Sequence, residues 1–243
     1  MKLKNLYDFK IIDDPQINKN GKLCIFTITN ADEEKNDYQS KLILYDIVNN
    51  NEIDRIGNDE KNYSGIWKNE NEILFISKGK NGYKINLYNI HSKKAELIIN
   101  SNKSLSNIGC SHDGNYISYL KYDEDKLNEI EDLNNDVLFL ERFNWKSDSL
   151  GYIGNSYKHL YVYDRKNNIE RKITEGKFDI NGYAWGNTSN NIVYITNKSE
   201  RNEFERKKEI YYVSELNNNH EKINEFEEIR GNDICFSPKV LDI

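Results

Sequence analysis

The chain has 243 residues, with 34 Lys and Arg against 40 Asp and Glu and a formal net charge of −6. That length holds one large all-β or α/β domain or two small ones, and the cations lie scattered among carboxylates, which argues against nucleic acid as the main partner. No apolar run approaches the about 18 residues of a membrane span, and the opening "MKLKNLYDFKIIDD" breaks its apolar residues with charge, so a cytoplasmic protein that meets no membrane is expected.

Two prolines, 12% aromatics and short polar runs such as "NNN" point to strands separated by turns rather than to a helical bundle. Cys24, Cys110 and Cys235 are odd in number, far apart and without a C-x-x-C pairing, so reduced, mostly buried thiols are expected and no thiolate zinc site.

Along the chain one pattern recurs: an aromatic or apolar anchor, a polar turn, then an alternating strand. Ile17 precedes "NKNGKLCIF", Trp67 precedes "KNENEILFI", Cys110 precedes "SHDGNYISY", Trp185 precedes "GNTSNNIVY" and Phe236 precedes "SPKVLDI". Seven and nine residues beyond the first four anchors stand Cys24 and Phe26, Leu74 and Ile76, Ile117 and Tyr119, Ile192 and Tyr194. Alternate residues on one face are the period-2 mark of a strand. A second strand follows each time, "LILYD" to Asp46, "INLYN" to Asn89, "LYVYD" to Asp164 and "IYYVS" to Ser214, and then a short outer strand such as "NEIDRI" or "IERKIT".

Anchors recurring about every 40 to 50 residues, with four strands to a unit, describe an all-β propeller of four-stranded antiparallel blades. The blades fall at roughly 15–60, 61–101, 102–178 with an insertion over 122–159, 179–228, and a partial blade at 229–243. About four blades and the start of a fifth make an incomplete or shortened ring, whose open blade leaves a face and strand edges for self-association.

Ser111, His112 and Asp113 are adjacent, which suggests a catalytic centre. They occupy the hairpin position filled by Asn18-Lys19-Asn20-Gly21 in the first blade, and triad members meet from separate segments, so a turn is the expected role. Trp67 and Trp185, at the anchors, are read as packing between blades rather than as a stacking platform. His91, His112, His159 and His220 show no metal-binding spacing, so neither metal nor cofactor is expected, and His159, just before a strand, is read as packing or hydrogen-bonding there. A sialidase-type Ser-x-Asp-x-Gly-x-x-Trp box is excluded because Asp113 and Gly114 are adjacent.

The segment from "NLYDFKIIDDPQINKNGKLCIF" through "GCSHDGNYISY", "LERFNWKSDSLGYIGNSYKHLYVYDRKNNIERKITEG" and "NDICFSP" resembles the N-terminal propeller of acylaminoacyl peptidases and dipeptidyl-aminopeptidase-like enzymes of the prolyl oligopeptidase family. Leu6, Asp14, Pro15 and Gly21 carry the opening of the resemblance, and Gly151 to Leu160 its most specific part. The resemblance implies a propeller of about seven blades that covers a serine peptidase of the α/β-hydrolase type. The partners it implies are that hydrolase domain, missing or on a separate chain, and peptides. The sequence has no G-x-S-x-G elbow, and Gly109-Cys110-Ser111-His112-Asp113 lacks the second glycine, so no catalytic residue is expected here. The chain is then a fragment, a split-gene subunit or a shortened propeller. Its expected role is non-catalytic gating of peptides; the alternative is a stand-alone TolB-like propeller that serves as a protein-binding scaffold.

Related dipeptidyl peptidases can hold a substrate's amino terminus with propeller glutamates, and Glu129 and Glu131, within a short helix expected around Glu124 to Leu133, are the weak candidates for substrate binding. Residues two apart need not face one ligand, and acidic loops are usually solvated.

Overall fold

The computed structural model describes residues 7–58, 61–123, 140–147, 151–205, 207–214, 216 and 220–227, in two units, Met1–Ile108 and Gly109–Ile243. Glu129, Glu131, the helix expected from Glu124 to Leu133, Cys235, Phe236 and the partial blade at 229–243 lie outside the described residues.

The first unit contains two antiparallel meanders. One is built of β1 (Lys10–Ile17), β2 (Leu23–Asp32), β3 (Asp37–Asp46) and β4 (Asn51–Ile56), the other of β5 (Lys61–Asn69), β6 (Glu72–Gly79), β7 (Gly82–Asn89) and β8 (Lys94–Ser101). A single parallel bridge, Ser40 to Lys61, joins them. Between them lies a core of Ile25, Leu42, Leu44 and Ile56 from the first blade and Ile73, Phe75 and Tyr88 from the second, with Trp67 against it. The Trp67 indole N–H donates to the Gln16 carbonyl at 3.1 Å, so the anchor tryptophan packs one blade on the next.

The chain leaves this unit along β9 (Leu105–Cys110). In the second unit β10 (Tyr116–Tyr122), β13 (Lys158–Asp164) and β14 (Ile169–Lys172) continue the sheet, in the order β14-β13-β10-β9. A two-stranded hairpin of β11 (Lys146–Ser147) and β12 (Gly151–Tyr152) stands between β10 and β13. The last sheet runs β15 (Gly182–Trp185), β16 (Ile192–Thr196), β17 (Lys207–Val213), β18 (His220–Glu227). Leu120, Leu160, Val162 and Ile173 meet Ile192, Tyr194 and Val213 in its core. Trp185 donates to Ser118 Oγ at 2.7 Å and stacks on Tyr116. Full burial of each such aliphatic side chain stabilises by about 1.5–3 kcal/mol. The fold is therefore all-β, with four four-stranded antiparallel blades among the described residues.

The turns explain the sequence pattern. Asn18 Oδ1 accepts from the backbone N–H of Lys22 and Leu23, and Ser111 Oγ accepts from that of Tyr116. At the far end of the third strand in the first three blades the side chain of Asp46, Asn89 or Asp164 accepts from the N–H groups two and three residues on. An Asx side chain placed there replaces a turn's missing backbone partners.

Two expectations need correction. In the first and fourth blades the anchor pairs with the residue seven positions on, Ile17 with Cys24 and Trp185 with Ile192, but Trp67 pairs with Ile73. The second blade's turn is one residue shorter, so its equivalent positions are Ile73 and Phe75, not Leu74 and Ile76. All four side chains are buried, so alternation could not reveal the slip. Cys24 and Cys110 are half-buried rather than buried, and neither is in a disulfide.

Candidate functional site

In the second unit the turns at Ser111–Asn115 and Asp164–Asn168 lie at one end of the strands. Residues 140–147 and 151–157, between β10 and β13, the loop after β14 and the described residues after β16 lie at the other. Ser111, His112 and Asp113 therefore sit in a hairpin: Ser111 Oγ donates to Asp113 Oδ1 at 2.6 Å, and His112 is exposed. Burial raises the Asp113 pKa, but hydrogen bonds from Ser111, Asn115 and Ser189 outweigh it and hold the carboxyl at about 2. An acceptor that strong stabilises a turn and is no general base at neutral pH.

The opposite end is assembled round one arginine. Arg142, in the stretch between β10 and β13, has a side chain 2% exposed. Its Nη2 meets Asp179 Oδ2 at 2.7 Å and its Nε meets Glu203 Oε1 at 2.9 Å. Its Nη1 donates to the Ser156 carbonyl, and the guanidinium lies 4.4 Å from the centre of the Tyr157 ring. The planar fork allows one side chain to hold three segments at once. Glu203 Oε2 also accepts from Phe143 N at 2.5 Å, and Asp179 Oδ1 from Lys158 N at 2.7 Å. Asp123 closes the base of the stretch, where its Oδ1 accepts from Tyr157 N at 2.7 Å and its own N–H donates to the Tyr157 carbonyl.

These loops enclose a cleft of about 620 Å³ lined by Phe143, Tyr157, Phe178, Lys198, Arg201 and Phe204 among others. Phe143 and Phe204 are 67% and 65% exposed, and their rings stand 5.3 Å apart. No histidine or cysteine is among the described lining residues, which include Glu141, Lys177, Ser199 and Glu200. Beneath it His159 is fully buried, with Nδ1 3.1 Å from Thr174 Oγ1 and its ring edge-on to Phe178. Trp145 packs on Tyr152 at 5.3 Å. Arg142 escaped the sequence reading, which treats an arginine among other charges as solvated; its place just before an aromatic was the signal available.

Residues 127–240 match the family described as the dipeptidyl peptidase IV (DPP IV) N-terminal region. No curated protein matches the sequence. Among solved structures, the Pyrococcus horikoshii acylaminoacyl peptidase is similar with a TM-score of 0.71 at 14% identity, over 91% of this chain and 33% of that one. The β-propeller domain of the Trilobed protease from Pyrococcus furiosus is similar at 0.57 and 14%, over 92% and 59%. TolB from Acinetobacter baumannii is similar at 0.52 and 11%, over 85% and 41%. The chain thus spans about a third of the acylaminoacyl peptidase it resembles. The match over residues 127–240 spans Arg142, Asp179 and Glu203, and the fold is the β-propeller shared with these structures.

Proposed function

We propose that the chain is the non-catalytic propeller region of an acylaminoacyl-peptidase-like serine peptidase and gates peptides to a hydrolase domain supplied outside these 243 residues. The observation that supports this most is the family match over 127–240, a range that includes Arg142, its two carboxylate partners and the two exposed phenylalanines over the cleft. A buried ion-pair network stabilises little by itself and is well suited to fixing geometry. Here it presents apolar rings to solvent, an arrangement that favours contact with a peptide rather than folding. The gate acts by steric selection and exclusion of water, in the cytoplasm, and bond chemistry belongs to the hydrolase.

The test is capture of the protein from its own cells with an antibody to the propeller, followed by a fluorophosphonate that labels active serine hydrolases. A labelled polypeptide is expected, either one heavier than 28.7 kDa that contains this sequence or a separate chain that co-purifies. Absence of label would overturn the proposal in favour of the TolB-like scaffold. In the labelled enzyme, Phe143→Ala with Phe204→Ala is expected to raise KM several-fold and leave kcat near wild type, the mark of lost uniform binding.

A further inference from the structure

We propose that Asn81–Gly82, in the turn between β6 and β7, is a site of spontaneous modification, where the folded protein converts the asparagine through a cyclic imide to aspartyl and isoaspartyl residues. Asn–Gly occurs three times in the chain, at Asn20–Gly21, Asn81–Gly82 and Asn181–Gly182. A glycine has no side chain to shield its nitrogen, so all three pairs are labile as sequence, and the fold decides among them.

Two of the pairs are held. Asn20 Oδ1 accepts from the Lys22 N–H at 2.9 Å, and the Gly21 N–H beside it donates to the Asn18 carbonyl at 3.0 Å. Asn181 Oδ1 accepts from Lys208 Nζ at 2.9 Å, its own N–H donates to the Ile195 carbonyl at 2.9 Å, and Gly182 is a buried residue of β15. Asn81 is exposed, and its side chain makes no hydrogen bond among the described residues. It sits in a turn closed by the Gly79–Gly82 rung, the last of that hairpin. A terminal rung frays before the rest of its ladder, and opening it frees the Gly82 nitrogen. Residue 82 has to be glycine, because its φ is 105° and a Cβ would stand 2.4 Å from the Ser101 carbonyl oxygen. The turn therefore brings the labile pair with it.

The reaction needs only hydroxide and water. Hydroxide takes the Gly82 amide proton, and the nitrogen forms a bond to Asn81 Cγ. The Cγ–Nδ2 bond then breaks as Nδ2 takes a proton from water and leaves as ammonia, which restores the hydroxide. A water molecule opens the imide. Addition at Cγ gives an aspartyl residue, and addition at the main-chain carbonyl carbon gives an isoaspartyl residue, whose backbone runs through Cγ. Either product adds a carboxylate to a chain whose net charge is −6. The isoaspartyl form also lengthens the turn by a carbon atom, directly beside the Gly79–Gly82 rung.

The 243-residue chain is incubated at mildly alkaline pH, folded and in urea, then digested for mass spectrometry, with isoaspartate read by enzymatic carboxyl methylation. In the folded chain Asn81 is expected to convert about tenfold faster than Asn20 and Asn181 or more, since each of those must first break hydrogen bonds. In urea the three are expected to converge. Asn81→Gln, whose longer side chain closes a ring less readily, is expected to keep the thermal midpoint and lose the fast conversion together with the methyl acceptance. Conversion at Asn81 no faster than at the other two pairs in the folded chain would overturn the proposal. So would the folded ranking persisting in urea, which assigns it to neighbouring residues, or an Asn81→Gln chain that gains isoaspartate at the wild-type rate. None of these readouts depends on a peptidase domain.

Discussion

Arg142 joins segments distant in sequence, because Asp179 and Glu203, 37 and 61 residues away, both depend on its guanidinium. Arg142→Ala strands two carboxylates that are partly shielded from water. With allowance for their residual solvent contact, the expected cost is about 2–3 kcal/mol, read from urea unfolding monitored by Trp145 fluorescence. His159 makes the acid side of the stability curve. Burial and the Lys172 charge hold its pKa at about 4, below the unfolded value of about 6.5, so the unfolded chain binds the proton first. The His159 contribution to stability is therefore full above pH 6.5 and falls as the pH drops towards 4, by up to about 1.4 kcal/mol per pH unit. His159→Asn is expected to flatten that slope, and an unchanged slope would assign it to other groups.

Among the elements, the hairpins show why the blade repeat is legible. Asn18, Ser111, Asp46 and Asp164 appear in the sequence as turn residues because their short polar side chains bond the local backbone, a preference that needs no tertiary structure. Gly82 has the same local character, with a φ of 105°. A Cβ there would lie 2.4 Å from the Ser101 carbonyl oxygen, so Gly82→Ala combines a left-handed backbone with a backbone clash. It is expected to cost about 2–3 kcal/mol, measured as a lowered midpoint in thermal unfolding. The slip in the second blade had no such local signal. Ile73, Leu74, Phe75 and Ile76 are all buried, and a run apolar on both faces carries no phase.

For the whole molecule, the first blade leaves an apolar face exposed. In the second blade Ile73 and Phe75 pack on Ile25, Leu42 and Leu44, whereas the equivalent Cys24 and Phe26 of the first blade are only half-buried. Ile12 and Ile17, which pair with Ile28 and Cys24 on the same face, are each 62% exposed. We propose that a further blade covers this face in the assembled protein and that the chain alone self-associates through it. Sedimentation velocity is expected to show a concentration-dependent species that Ile12→Lys with Ile17→Lys returns to monomer. A wild-type monomer across a wide concentration range would count against it.

The sequence by itself determined the strands, their turns and the blade count over the described residues, since period-2 alternation and Asx or glycine turns are properties of a few neighbouring residues. Tertiary structure alone decided the phase of the second blade and the burial of Arg142. Both depend on which distant segments meet, and a charged side chain has the same local pattern whether water or a buried partner satisfies it.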